Sequence, residues 1–277
     1  HGAEQTVGMD DPPVETLRAR PDSSIAVLAE LHARGEVQAC ISAGNTGAFV
    51  AAAQMRLRRL RGVHRPGIAI LTPTPMGPVA LCDVGANVNA RPQHLRQYGL
   101  MASVYLRELL GIREPRVGLL SIGEEDAKGT ELVKEARALM REDKSQNFVG
   151  NVEGRDLFSG VCDVMICEGF VGNVVLKLIE GMADRVLMVL LKELAAALPD
   201  NVDRIREFGR NLQGRYDFNE YGGAPLLGVG GTCIICHGAS DGRGIKNAVR
   251  AARGLVAKHV NEQIVELLSQ DERAVHA

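Results

Sequence analysis

The strongest constraint on the fold is a rhythm: short β-rich runs recur along the chain, and helical patterns fill most of the intervals between them. The runs are Gln38 to Ile41, Gly67 to Leu71, Val79 to Cys82, Arg116 to Leu120, Asp163 to Cys167 and Thr232 to Cys236. Alternation of this kind predicts an α/β fold, with a parallel or mixed sheet covered by helices on both faces. Helical spacing marks Ser24 to Ala33, where Ile25, Val27, Leu28 and Leu31 form one apolar face. It also marks Thr46 to Leu60, Pro92 to Leu110, Lys128 to Met140, Asn173 to Leu198 and Gly244 to Leu268. Only Pro199 to Asn219 breaks the rhythm. It holds a helical pattern (Val202, Ile205, Phe208, Leu212) with Arg204, Arg206, Arg210 and Arg215 opposite. Such a helix suits an anionic membrane surface, a solvated face or a dimer contact.

Composition removes several function classes. A formal net charge of -2 over 277 residues argues against a protein that grips nucleic acid by neutralising phosphates. The first residues carry no basic or apolar leader pattern, which makes the cytoplasm the expected address. The apolar region Val186 to Leu198 is interrupted by Lys192 and Glu193 and is too short for a membrane span. Cys40, Cys82, Cys162, Cys167, Cys233 and Cys236 lie in apolar stretches, as reduced buried thiols do. Cys233 to His237 matches a haem-attachment pattern, yet strand residues three apart point to opposite faces and cannot converge on one haem or zinc. No metal and no cofactor are expected.

The polar motifs fall at strand ends, where α/β sheets place their ligand crevices. Ser42 to Gly47 follows Ile41, Asp83 to Asn87 follows Cys82, and Ser121 to Gly129 follows Leu120. Each leads into a helix, whose first N–H groups and dipole suit an anion. A tight turn with Asn45 or Thr46 as helix cap is the plainer reading of the first. Lys128 precedes Gly129 instead of following it, so no Walker motif exists there. Nor does a Gly-x-Gly-x-x-Gly turn open a helix after a strand. Lys177, about one turn into the expected helix from Asn173, and His237, at the end of the last strand, are candidate ligand contacts.

Together the motifs are less generic. Ser42-Ala-Gly-Asn-Thr-Gly47, Asp83-Val-Gly-Ala-Asn87, Ile122-Gly-Glu-Glu125 with Lys128-Gly129, Gly150-Asn-Val-Glu-Gly154, Gly169 and Gly172-Asn173 with Lys177, Tyr221-Gly-Gly-Ala224 and His237-Gly238 occur in that order. The set resembles the acyl carrier protein:phosphate acyltransferase family across nearly the whole chain. The resemblance implies an isocitrate/isopropylmalate dehydrogenase-like fold, with two α/β domains around a cleft. The first would comprise residues 1–62 and 218–277, and the second residues 63–217 with the basic helix near 200–215. It further implies that a βα unit of the first domain precedes the segment resembling His1 to Glu4. This chain would then lack part of that domain and of the phosphate pocket.

The activity implied is transfer of a long-chain acyl group from acyl carrier protein to inorganic phosphate for phospholipid synthesis. The implied enzyme is a cytoplasmic homodimer, peripheral on the membrane or in contact with a membrane-bound glycerol-phosphate acyltransferase. His237, Lys177 and Asn173 are the expected catalytic residues. Ser42, Asn45, Thr46, Asp83, Asn87, Glu124, Lys128 and Glu153 would hold substrate, with Asp83 and Asn87 ordering the cleft. Arg204, Arg206 and Arg210 would meet the carrier or the membrane. The alternatives are a phosphotransacetylase-like enzyme using acyl-coenzyme A, a decarboxylating dehydrogenase disfavoured by the missing nucleotide motif, and a non-catalytic scaffold that binds acylated carrier.

Overall fold

A computed structural model of the chain describes residues 1–275, without the side chains of 184, 218, 219 and 271–275. The first part of the chain forms α1 (Pro13–Ala19), α2 (Ser24–Ala33), β1 (Ala39–Ser42) and α3 (Thr46–Arg56). A hairpin of β2 (Gly67–Thr72) and β3 (Val79–Cys82) follows, then α4 (Pro92–Leu110), β4 (Arg116–Leu120), α5 (Glu131–Glu142), β5 (Asn147–Val152) and β6 (Val164–Ile166). Two antiparallel helices, α6 (Gly169–Ala197) and α7 (Val202–Arg215), precede β7 (Ala224–Leu227), β8 (Thr232–Ile235), α8 (Gly242–Ala257) and α9 (Val260–Val275).

The strands join into one mixed sheet in the order β1-β8-β7-β2-β3-β6-β4-β5. Side chains alternate across it, because successive strand residues point to opposite faces. In β3, Val79 and Leu81 meet one core while Ala80 and Cys82 meet the other; in β8, Cys233 and Ile235 divide from Ile234 in the same way. One core packs against α4, α5, α8 and α9, and the other against α1, α2, α3 and the start of α6. All six cysteines are buried and free of disulfides, with Cys233 and Cys236 on opposite faces. The α/β class expected from alternation is thus a three-layer arrangement. Residues 1–62 and 218–277 supply β1, β8 and β7, while residues 63–217 supply the other strands.

Direction matters more for the site than order. β1 and β8 are parallel, β7 is antiparallel to β8 and to β2, and β3 is antiparallel to β2. β6, β4 and β5 then run parallel to β3. The carboxyl ends of β1 and β8 therefore lie at one edge, and those of β3, β4, β5 and β6 at the opposite edge. The polar turns that the sequence places at strand ends do not share one crevice edge.

Several boundaries differ from expectation for local reasons. The helix expected over 46–60 stops at Arg56, since Arg58 turns left-handed (φ 62°) and Arg59 bridges to Val229. The long helix expected from 244 breaks at His259 (φ 52°) into α8 and α9. α5 starts at Glu131, not Lys128, because Thr130 caps it. Strands β5 and β7 escape the sequence reading. The first mixes Gly and Asn with few apolar residues, and the second contains Pro225, which lacks an N–H. Pro225 is tolerated because β2 pairs only with Leu226 and Leu227.

Candidate functional site

Four helices that start near the polar turns are capped by their own side chains. The Asn45 carbonyl oxygen accepts from Ala48 N–H (2.9 Å), Thr130 Oγ1 from Val133 N–H (3.4 Å) and Asp241 Oδ1 from Gly244 N–H (2.8 Å). Glu168 accepts from Phe170 N–H (2.6 Å) and Val171 N–H (3.0 Å) at the start of α6. An anion approaching α6 would meet a carboxylate and not bare N–H groups. Lys177 lies two turns into α6 instead of the one turn expected from a start at Asn173. Asn45 is more fully used still. Its Nδ2 donates to the carbonyls of Gly8 (2.9 Å) and Met9 (3.1 Å), so the amide knits the 8–11 turn to α3.

At the β1/β8 edge, two turns stand side by side. Cys236 N–H donates to the Ser42 carbonyl (2.8 Å), and Gly238 faces the Ala43 carbonyl. The Ser42 and His237 turns are brought together here, with Thr46 following at the start of α3; Ser42 and Thr46 are half-buried and His237 is exposed. Ala239 N–H donates to His237 Nδ1 (3.2 Å). An accepting Nδ1 leaves the ring proton on Nε2, which then has no partner among the described residues. The His237 loop forms one wall of a groove of about 580 Å³ against α6 and α7. Its floor is apolar, with Ala183, Val186, Leu187, Leu190 and Leu212, and its polar rim includes Glu180, Tyr216 and Ser240. This volume and this mixture suit an extended apolar ligand with a polar head. The rim escapes sequence reading because it is drawn from three separate segments.

At the opposite edge, Asp83 is fully buried at the head of its turn. Oδ1 accepts from Ile68 N–H (2.9 Å) and Ala86 N–H (3.0 Å), and Oδ2 from Asn87 N–H (2.7 Å). Burial pushes this carboxyl up, against hydrogen bonds from Ala86, Ile68 and Asn87 that favour its ionised form. Asn87 Nδ2 in turn donates to the Pro66 carbonyl and the Tyr98 hydroxyl (2.9 Å). The start of α6 rests on this turn: a Cβ at Gly172 would sit 1.9 Å from the Asp83 carbonyl oxygen, and one at Gly169 2.7 Å from that of Asn87. Only glycine permits so close an approach.

Glu124 and Lys128 are exposed on the loop after β4, and Glu153 pairs with Arg155 (3.0 Å) after β5. They share the edge of Asp83 and do not join His237. α6 links the two edges. Asn173 stands beside Gly85 in the Asp83 turn, and Glu180 lines the His237 groove. The seven-residue step from one to the other spans about 10 Å of helix. Lys177 lies on the same side, paired with Glu180 (2.8 Å). Arg204, Arg206 and Arg210 are exposed along α7, away from these groups in the chain, with Arg206 paired to Asp203 (3.4 Å). Among the described residues, no helix is long and apolar enough to cross a membrane, and no cluster of three or more His, Cys, Asp or Glu side chains could hold a metal.

Comparison with known proteins shows the family and the fold. Residues 1–263 match the family described as fatty acid synthesis protein. The phosphate acyltransferase of Geobacter sulfurreducens is 45% identical over 98% of this chain and 79% of its own length. That of Nitratidesulfovibrio vulgaris strain DP4 is 46% identical over 98% of this chain and 79% of its own. Among solved structures, the EutD phosphotransacetylase of Staphylococcus aureus has a TM-score of 0.59 at 14% identity, covering 87% of this chain and 70% of that one. A phosphotransacetylase from Streptococcus pyogenes has a TM-score of 0.58 at 14% identity, covering 89% and 74%. At that identity the likeness shows a shared α/β fold.

Proposed function

This chain belongs to the phosphate acyltransferase family, a family of enzymes that transfer acyl groups to phosphate, and from that membership we propose that its donor is a long-chain acyl thioester of acyl carrier protein. The apolar groove beside His237 carries the reading. Its floor offers burial to an alkyl chain, while its rim offers polar groups to a carbonyl. The acyl phosphate formed would serve phospholipid synthesis.

In the proposed reaction a phosphate oxygen attacks the thioester carbonyl, a C–O bond forms, and the C–S bond breaks. The sulfur leaves as thiolate and takes up a proton, giving acyl phosphate and free carrier thiol. Thiolate is a good leaving group, with a thiol pKa near roughly 8.5, so positioning and oxyanion stabilisation outweigh strong base catalysis. His237 Nε2–H is assigned as donor to the carbonyl oxygen or to the departing sulfur. Ser42 and Thr46, with backbone N–H groups of their turn, would hold phosphate oxygens. Asn173 would reach the substrate from α6, and Lys177 would offset negative charge by exchanging Glu180 for phosphate. Asp83 and Asn87 would order the cleft from below. Glu124, Lys128 and Glu153, at the opposite edge, take no part in this step.

The strands from 1–62 with 218–277 and those from 63–217 would act as two lobes, and the enzyme as a homodimer. Val174, Leu178, Met182 and Val189 are exposed along α6, a stripe that a second copy would cover. The exposed arginines of α7 would meet acidic carrier or anionic lipid at the inner membrane face. The test is phosphate-dependent thiol release from a long-chain acylated carrier protein and from acetyl-coenzyme A. The expected result is faster release from the carrier, with Leu187→Asp lowering long-chain turnover by about 10- to 100-fold. Preference for acetyl-coenzyme A would overturn the donor assignment in favour of a phosphotransacetylase-like enzyme. Carrier binding without thiol release would favour a scaffold.

A further inference from the structure

A second cavity, of about 660 Å³, opens where the loop 57–66 meets the amino end of α4. Its walls are Arg59, Arg65 and Arg91, the histidines His64 and His94, and two side-chain amides; no carboxylate lines it. Among the described residues, none of the ion pairs involves these three arginines, whereas Arg56 nearby is paired with Glu30 (3.3 Å). Three guanidinium groups gathered without a counter-charge repel one another, and a bound anion relieves that repulsion.

The loop is held in place. Gln97, 6% exposed on α4, accepts from His64 N–H (2.8 Å) and donates to the Gly62 carbonyl (2.8 Å). Leu60 N–H donates to the Gly228 carbonyl (3.0 Å), Gly230 N–H to that of Arg58 (3.0 Å), and Arg59 to that of His64. A preorganised wall of this kind loses little entropy on binding.

His94 adds a ring donor to this basic wall. It is 8% exposed, and its Nδ1 accepts from Arg91 N–H (3.1 Å), which leaves the proton on Nε2. That N–H has no protein partner among the described residues, although the ring lines the cavity. Burial holds the His94 pKa below the usual histidine value, and the charges of His64, Arg65, Arg91 and Arg59 push it the same way. The positive end of α4, a 19-residue helix with no capping side-chain oxygen, faces the same region.

We propose that this cavity is an anion site, separate from the His237 groove, that takes the phosphoryl group of a small molecule. The two cavities share no lining residue. The basic one adjoins the Asp83 turn through the Asn87–Pro66 hydrogen bond, at the edge opposite His237. Planar guanidinium forks match phosphate oxygens, and the volume exceeds what one phosphate ion fills.

The experiment is imidazole NMR of the whole chain, titrated at constant ionic strength with inorganic phosphate, ribose 5-phosphate or acetate. The expected result is a saturable shift of the His94 signal with the phosphate-bearing ligands and none with acetate. The tighter of the two ligands distinguishes free phosphate from a phosphate ester as the source. The double variant Arg65→Gln/Arg91→Gln should raise the half-saturation concentration at least tenfold while leaving thiol release unchanged. Both arginines are exposed, so folding should survive, and His94→Gln, followed through the His64 signal, offers a second variant with the ring donor removed. Equal shifts with acetate, or saturation unchanged in the double variant, would overturn the proposal. So would binding confined to an acidic protein.

Discussion

The two edges of the sheet carry polar turns of similar composition that the fold uses in opposite ways. At the Asp83 edge the carboxylate is buried and accepts three backbone N–H bonds, and glycines let α6 close over it. At the β1/β8 edge His237 is exposed, and its Nε2 proton has no partner among the described residues. Polar groups buried in low dielectric must be satisfied within the protein, so the first turn stiffens the frame. Groups beside a groove can be left for substrate. A Gly-rich polar turn is therefore no evidence of chemistry until burial and partners are known.

The largest test of this contrast is Asp83→Ala, which strands three backbone donors, that of Ile68 fully buried. The expected loss of stability is about 3 to 5 kcal/mol, measured by urea unfolding. Intact stability with lost turnover would instead assign Asp83 to the chemistry. His237→Ala should do the reverse, lowering turnover about 10²- to 10³-fold, or about 2.7 to 4 kcal/mol in the barrier, while unfolding is unchanged. Normal thiol release by that variant would remove His237 from the mechanism.

The smallest effect concerns the frame alone. Asp163 takes a bidentate pair from Arg116 (3.0 and 2.9 Å) and its backbone N–H (2.8 Å). Burial pushes the Asp163 carboxyl up, but the Arg116 hydrogen bonds outweigh it and hold the group below its ordinary value of 3.8. A depressed carboxyl contributes stability that is present above 3.8 and lost as pH falls through the folded value. Asp163→Asn should cost about 1 kcal/mol at neutral pH, since the half-exposed Arg116 is screened by water, and should flatten the acid limb of a melting-temperature profile. A profile unchanged by the substitution would place the acid sensitivity elsewhere.

Much of the frame was legible from local pattern. α2 and α4 match the expected ranges at both ends, because apolar spacing and the Pro92 start leave little choice. β7 was not legible, since a strand containing proline has no local signal and exists only through its neighbours. Among the site residues, Asn45 shows the limit most clearly. Its sequence context fits a cap more plainly than a phosphate contact, and only the distant Gly8 and Met9 carbonyls reveal how the rest of its amide is used.

The sequence by itself determined the class of layers, most helices, the burial of the cysteines and the resemblance that the relatives bear out. These rest on periodicity and on ordered motifs, which are local or linear properties of a chain. Only the tertiary structure decided that β1 and β8 end at one edge while β3, β4, β5 and β6 end at the other, that α6 joins those edges, and that three arginines with no ion pair among the described residues line one cavity with His94. Strand direction and charge pairing depend on residues far apart in the chain, and no local spacing encodes them.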